Sequence, residues 1–325
     1  MKNRIAFATP QILLSVFLAG ALVGCATSDG PSRDKSFDAG ARERAKPYLK
    51  DLVSYDFRFS SPKGTCGPLE ADADWKDFVW AAGACVHKQD WNQVEKLGLE
   101  MSSRHVDSPW GAYFLGLAAA GRGEFLRSHW MLDLAEKKAG GPLALVRYEK
   151  ARLLEREEGP ASAAKEMKEA VKLDPMMVAG QLWLAQVYHR DRMLSEAERH
   201  YRLALDSKGD LYPALSGLSE ILVEKKNGPD AVTFLSRALL LRPEVSETRV
   251  KLAYVYETMM GEPGKALQTL RELRVAMEKG RSKGRVGFDL NQKILDLEKS
   301  MRPTQKEQAQ ETQPGRQPAQ SKKGG

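Results

Sequence analysis

Cysteine and histidine are scarce in this 325-residue chain, at three and five residues. The histidines His87, His105, His129, His189 and His200 stand far apart; no His-Glu-x-x-His and no Cys-x-x-Cys occurs. A metal ion needs several such ligands gathered at short spacing, so no metal site is expected, and packed or solvated histidines are the default. The partners that a serine acyl enzyme needs, Ser-Asp-Asn and Lys-Thr-Gly, are absent too. Ser-x-x-Lys matches such as those at 60–63 and 162–165 therefore read as coincidence. His189-Arg190-Asp191 has no glycine loop before it, and Gly-x-x-Gly-Lys at 261–265 is too short for a phosphate loop and is followed by Ala266. These absences exclude the common hydrolytic and phosphotransfer sites. No enzyme, cofactor or small-molecule substrate is indicated.

Long apolar runs are equally rare, and the single one is informative. Lys2 and Arg4 precede an apolar stretch over 12–23, which ends at Leu22-Val23-Gly24-Cys25 and is followed by Thr27, Ser28, Asp29 and Gly30. This is the order of an export signal. Leu-Val-Gly-Cys resembles the lipobox cleaved before an acylated cysteine, which implies lipidation at Cys25. An uncleaved transmembrane helix over 5–24 is the alternative; either reading ties the chain to a membrane. Two or three acyl chains, each burying methylenes at about 0.8 kcal/mol apiece, would hold it stably. In the lipoproteins it resembles, Asp after the cysteine favours inner-membrane retention. Here Ala26 follows, which favours the periplasmic face of the outer membrane.

With Cys25 acylated, Cys66 and Cys85 are left in a compartment that permits disulfides. A bridge between them would restrict the unfolded chain by roughly 3 kcal/mol; two buried reduced thiols are the alternative. The net charge is +7, to which Lys2 and Arg4 contribute before cleavage. Outside the cytoplasm the anions that suit a mildly basic surface are lipid headgroups, lipopolysaccharide, peptidoglycan or acidic protein patches, not nucleic acid, and charge alone selects none of them.

Past a polar linker, residues 39–53 read as one helix, interrupted or kinked near Pro47, and residues 60–68 read as a loop around Cys66. From about residue 76 similar residues return every 34 positions. Three units without insertion start at Ala144, Val178 and Tyr212. Small residues recur at Ala151, Ala185 and Ser219, at Ala163, Ala197 and Ala231, and at Ala170, Ala204 and Ala238. Larger ones recur between them, at Leu154, Tyr188 and Leu222 and at Met167, Tyr201 and Leu235. Further units start at Pro109 and Ser246, and a degenerate first one at Lys76. Leu290, Ile294 and Leu297 recur at helical spacing in a final amphipathic helix, and stacks of this kind need such an end. Beyond Pro303 the tail has no apolar periodicity and is expected to be disordered.

This small-large-small pattern resembles the tetratricopeptide (TPR) repeat and implies an all-α helical solenoid of five to six helix-turn-helix units with a C-terminal capping helix. The expected organisation is a signal peptide over 1–24, an acylated cysteine and linker over 25–38, and an N-terminal helix with a cysteine loop over 39–75. The solenoid comes next, over 76–280, then a basic loop and capping helix over 281–301 and a Pro/Gln/Lys tail over 302–325.

In each unit one face of the first helix should line a groove. The positions on that face are Trp110 and Tyr113; Tyr148, Arg152, Glu155 and Arg156; Leu182, Gln186, His189 and Arg190; Ser216, Glu220 and Glu224; and Tyr254 and Glu257. Tyr148, Arg152, Arg156 and Arg190 are expected to converge on one concave surface, basic in the middle and acidic toward its C-terminal end. Aromatic residues and arginine are common interface anchors, so the groove is the candidate protein-binding site, with a solvated basic loop around 271–285 as a second surface. The chain is similar to TPR lipoproteins that act as pilotins for pilus secretins, in β-barrel assembly and in gliding motility. That resemblance implies a non-enzymatic scaffold whose partners are subunits of an envelope machine. An adaptor for peptidoglycan enzymes is the competing reading, and an enzyme the third.

Overall fold

The structure, a computed structural model, describes residues 38–49, 64–284 and 286–302. Cys25 and the tail lie outside the described residues. After α1 (Ala39–Leu49) the helices come in antiparallel pairs: α2 (Trp75–Lys88) with α3 (Trp91–Arg104), α4 (Trp110–Arg122) with α5 (Phe125–Ala139), and α6 (Ala144–Glu157) with α7 (Pro160–Leu173). Then come α8 (Val178–Arg190) with α9 (Leu194–Ser207), α10 (Tyr212–Glu224) with α11 (Gly228–Leu241), and α12 (Ser246–Thr258) with α13 (Pro263–Glu278). A last helix, α14 (Leu290–Ser300), packs on α13. No strand forms among the described residues, where one isolated bridge joins Val245 and Lys283.

Repeat spacing explains the pairing. Ala151, Ala185 and Ser219 are fully buried, as are Ala163, Ala197 and Ala231 and then Ala170, Ala204 and Ala238. Their short side chains let the two helices of a pair, and the next pair, come close. Met167, Tyr201 and Leu235 fill the space left between them, at most 3% exposed. Each such buried side chain contributes roughly 1.5–3 kcal/mol. Helix starts are locally encoded as well. At the head of α2, Asp74 accepts hydrogen bonds from the backbone of Lys76 (2.7 Å) and Asp77 (3.1 Å), while the Asp77 carboxylate accepts from Asp74 N at 3.0 Å. This is a reciprocal cap worth about 1 kcal/mol. Prolines stand in the first turn of α7, α10, α11 and α13, where their missing N–H costs nothing.

Of the helix expected over 39–53, residues 39–49 are helical and residues 50–53 lie outside the described residues. Pro47 lies inside α1 without ending it, and the helix is described only to Leu49. Pro47 is exposed, so the carbonyl that loses its N–H partner faces water. The segment before α2 is tied to the first pair: Cys66 is disulfide-bonded to Cys85 of α2, and Arg104 of α3 donates to the carbonyls of Glu70 and Ala71 at 3.2 and 3.1 Å. The expected basic loop over 271–285 is also different. Its first half is the end of α13, and Ser246 N donates to Lys283 O at 3.0 Å, which pins the turn over 281–284 against the start of α12.

Candidate protein-binding groove

The first helices of the pairs (α2, α4, α6, α8, α10 and α12) present the predicted face, but the structure divides it. Trp110 and Tyr113 are 2% and 1% exposed, and Tyr148 is 7% exposed. None of the three is a groove surface. The Trp110 indole N–H donates to Tyr48 O at 2.7 Å, and its ring meets that of Tyr113 edge-on. Burial of an aromatic ring is stabilised when its polar tip finds a partner, and that partner comes from α1, outside the repeats.

Where the face does open, α2, α4 and α6 enclose a depression of about 440 Å³ lined by His87, Trp91, Leu117, Glu149, Arg152 and Arg156, among others. Trp91, the first residue of α3, reaches its floor because position 121 is glycine: a Cβ there would lie 2.3 Å from the indole. The neighbouring wall is fixed by charge. Arg122 and Arg127 each bind Glu95 at 2.6 Å. The hydrogen bond from Arg122, then that from Arg127, holds the Glu95 carboxyl below its ordinary range. Arg152 stands 3.7 Å from the buried Glu149 carboxylate, with its guanidinium 6.0 Å from the Tyr148 ring centre. Arg156 donates to Ala120 O at 2.9 Å and sits over the Phe125 ring at 4.8 Å. The depression thus pairs an aromatic floor with two arginines, of which Arg152 is the less committed.

Arg190 does not join them. With Gln186, His189, Arg192 and Tyr201 it lines a second depression of about 420 Å³, and it is paired with Asp191 at 3.3 Å. Between the two helices that carry these sites, the Trp183 indole of α8 donates to Glu155 of α6 at 2.9 Å. The expected single basic surface is therefore two separate ones. The acidic C-terminal end is also altered, because each carboxylate there meets a cation from a neighbouring helix or turn. Glu220 meets Lys251 at 2.5 Å, Glu224 meets Arg192 at 2.8 Å and Glu257 meets Lys293 at 2.8 Å. Tyr254 remains open at 52% exposure.

Sequence reasoning missed His87, Trp91 and Glu149. Trp91 belongs to a second helix of a pair, and a search restricted to first-helix positions passes over it; the glycine at 121 was the available signal.

Among the described residues no group of three or more His, Cys, Asp or Glu side chains is placed to hold a metal ion. No described helix is long and apolar enough to cross a membrane. No protein-family model matches the sequence, and no curated protein matches it. Solved structures do resemble the fold. A TPR repeat-containing protein of Cytophaga hutchinsonii, in its C-terminal part, aligns at 11% identity over 62% of this chain and 80% of its own, with a TM-score of 0.48. MamA (AMB-1) aligns at 15% identity over 52% of this chain and 92% of its own, with a TM-score of 0.44. Yeast Tom70 aligns at 17% identity over 73% of this chain and 50% of its own, with a TM-score of 0.43. The 34-residue spacing and the stacked helix pairs, both properties of this chain itself, make its described body an all-α helical solenoid of TPR type.

Proposed function

We propose that the chain is a non-enzymatic scaffold, lipid-anchored through Cys25 at the periplasmic face of the outer membrane, that holds a protein partner while an envelope machine is assembled or positioned. The observation that carries the binding part is the depression over α2, α4 and α6, where Trp91 and Arg152 line one site built from three successive repeats. Aromatic and arginine side chains in a partly enclosed site are the usual anchors of a protein interface. The anchor and the compartment rest on the lipobox-like Leu-Val-Gly-Cys and on Ala26. The machine rests on the likeness to TPR lipoproteins of pilus, barrel-assembly and gliding systems.

The test is Arg152→Gln, assayed for thermal stability and for partners recovered by cross-linking from membranes. Arg156 is unsuited because its contacts with Ala120 and Phe125 make it part of the packing. Stability should change by no more than about 0.5 kcal/mol, and recovery of the main partner should fall by about tenfold or more. In the same preparation a clickable fatty acid should label the chain and fail to label Cys25→Ala. Full recovery of every partner by a folded Arg152→Gln protein would remove the groove from consideration. Recovery of peptidoglycan hydrolases or synthases, and not secretin or barrel subunits, would transfer the protein to the adaptor reading.

A further inference from the structure

A larger concavity lies away from the first-helix groove, along the outer side of α13. It measures about 830 Å³ and is lined by residues 264, 267, 268, 271, 272, 275, 276 and 279, with Pro243, Glu244, Arg249, Arg281 and Met301 completing its edges. Those α13 positions follow the three- and four-residue spacing of a single helix face. From Gly264 to Lys279 the face runs about 22 Å, or four helical turns.

The face is open because α14 crosses only one end of it: Glu298 binds Arg271 at 2.7 Å and Met301 lies beside Gly264. At the other end, the hydrogen bonds between Glu244 and Lys283 and between Ser246 and Lys283 hold the turn over 281–284 as a fixed wall. Leu267 and Ala276 form the floor with Val275 and Met301, which are 41% and 44% exposed. The rim carries Arg249, Arg271, Lys279 and Arg281 against Glu244 and Glu272. Arg271 is already paired, whereas Lys279 and Arg281 have no ion-pair partner among the described residues.

Two occupants within reach are poor fits. The segment after Arg302 has alanine, at 309 and 319, as its only aliphatic residue type and carries four Lys/Arg against two Glu, so it offers neither an apolar edge nor the opposite charge. A second copy, net basic even without Lys2 and Arg4, would bring like charge to a basic rim. An amphipathic helix laid in a groove presents apolar anchors at the spacing of this floor, and carboxylates on its flanks would answer Lys279 and Arg281.

We propose that the α13 groove docks an acidic amphipathic helix of a protein partner, its apolar edge on Leu267, Val275 and Met301 and its carboxylates against Lys279 and Arg281. This surface is independent of the depression over α2, α4 and α6.

The test uses the full chain and three labelled peptides of about four helical turns, followed by fluorescence anisotropy. One has leucine at helical spacing with glutamate elsewhere, one has lysine in place of glutamate, and one is a scramble of the first. The acidic amphipathic peptide should bind about tenfold or more tightly than either control. Val275→Glu, and separately Lys279→Glu with Arg281→Glu, should each weaken it by a similar factor. Arg152→Gln should leave it unchanged, so that failure here and failure of the first-helix groove are told apart. All three positions are exposed, and circular dichroism melting checks that each variant is folded. Equal binding of the three peptides would overturn the proposal, as would unchanged binding by folded Val275→Glu. Self-association in sedimentation that Val275→Glu abolishes, without peptide binding, would assign the groove to a second copy and overturn it as well.

Discussion

The fourth and twelfth helices occupy equivalent places in their repeats, yet α4 is buried at every position from Trp110 to Ala119, while α12 buries only Ser246, Thr248, Leu252, Ala253 and Val255. The difference comes from outside the repeats. Around α4 the aromatic core of Phe78, Trp110, Tyr113 and Phe114 is joined by Tyr48 and Leu49 of α1 and by Cys66 and Leu69 of the segment before α2. Among the described residues nothing comparable covers α12, whose Tyr254 stays open. A repeat sequence encodes which residues face the neighbouring helix. Whether the remaining face becomes groove or core depends on what else the chain lays across it.

The comparison breaks most sharply on paired alanine substitutions. Trp110→Ala removes a fully packed ring and the hydrogen bond to Tyr48, and should cost about 3–5 kcal/mol. Tyr254→Ala, on the open face of α12, should cost about 0.5 kcal/mol or less. Urea unfolding of both variants checks this, and similar losses would mean that the two helices are equally packed.

A smaller effect is expected from the disulfide. It closes a separation of 19 residues, and Cys66→Ser with Cys85→Ser should cost roughly 3 kcal/mol. The loss should fall on the first repeats. In hydrogen exchange the amides of α2 to α4 should lose protection before those of α10 to α12, and uniform loss would contradict the division into two regions.

The third expectation separates the regions by pH. His200, in α9, is 5% exposed, stacks on Tyr188 and hydrogen-bonds Gln181 at 2.7 Å. Burial first, then Arg199 and Lys168, push its pKa down from 6.5 to about 4. Because the unfolded histidine binds the proton more readily, its contribution is complete above about pH 6.5 and is lost as pH falls toward 4. The loss should be on the order of 1–3 kcal/mol. Glu95, in the N-terminal region, also has a depressed pKa, but from an ordinary value of 4.5, so its contribution is lost in a lower window. Melting temperatures of His200→Gln should therefore fall less than those of the parent between pH 7 and 4.5. An identical slope would show that α9 does not carry this sensitivity.

Several features were legible before folding. The starts of α6, α8, α10 and α12 coincide with the unit starts at Ala144, Val178, Tyr212 and Ser246, because small and large residues at fixed spacing constrain helix contact locally. Trp110 and Arg190 were misplaced for the opposite reason. A helical wheel reports direction around one axis, and it contains neither the carbonyl of Tyr48 that takes up the indole nor the separation between neighbouring depressions. The pairing of Glu220, Glu224 and Glu257 was equally hidden, since each partner lies about one repeat away along the chain.

What the amino-acid order determined alone is the periodic part: the helix pairs and the small residues at their crossings, set by contacts that recur at one spacing. Tertiary structure decided which faces stayed open. Burial of Trp110, the division of the arginines between two depressions and the uncovered side of α13 each depend on segments that obey no repeat: α1, the disulfide-bonded stretch before α2, and a final helix that crosses only one end of its neighbour. Exposure is a property of everything packed around a side chain, and for these residues the deciding neighbours are not written in the repeat.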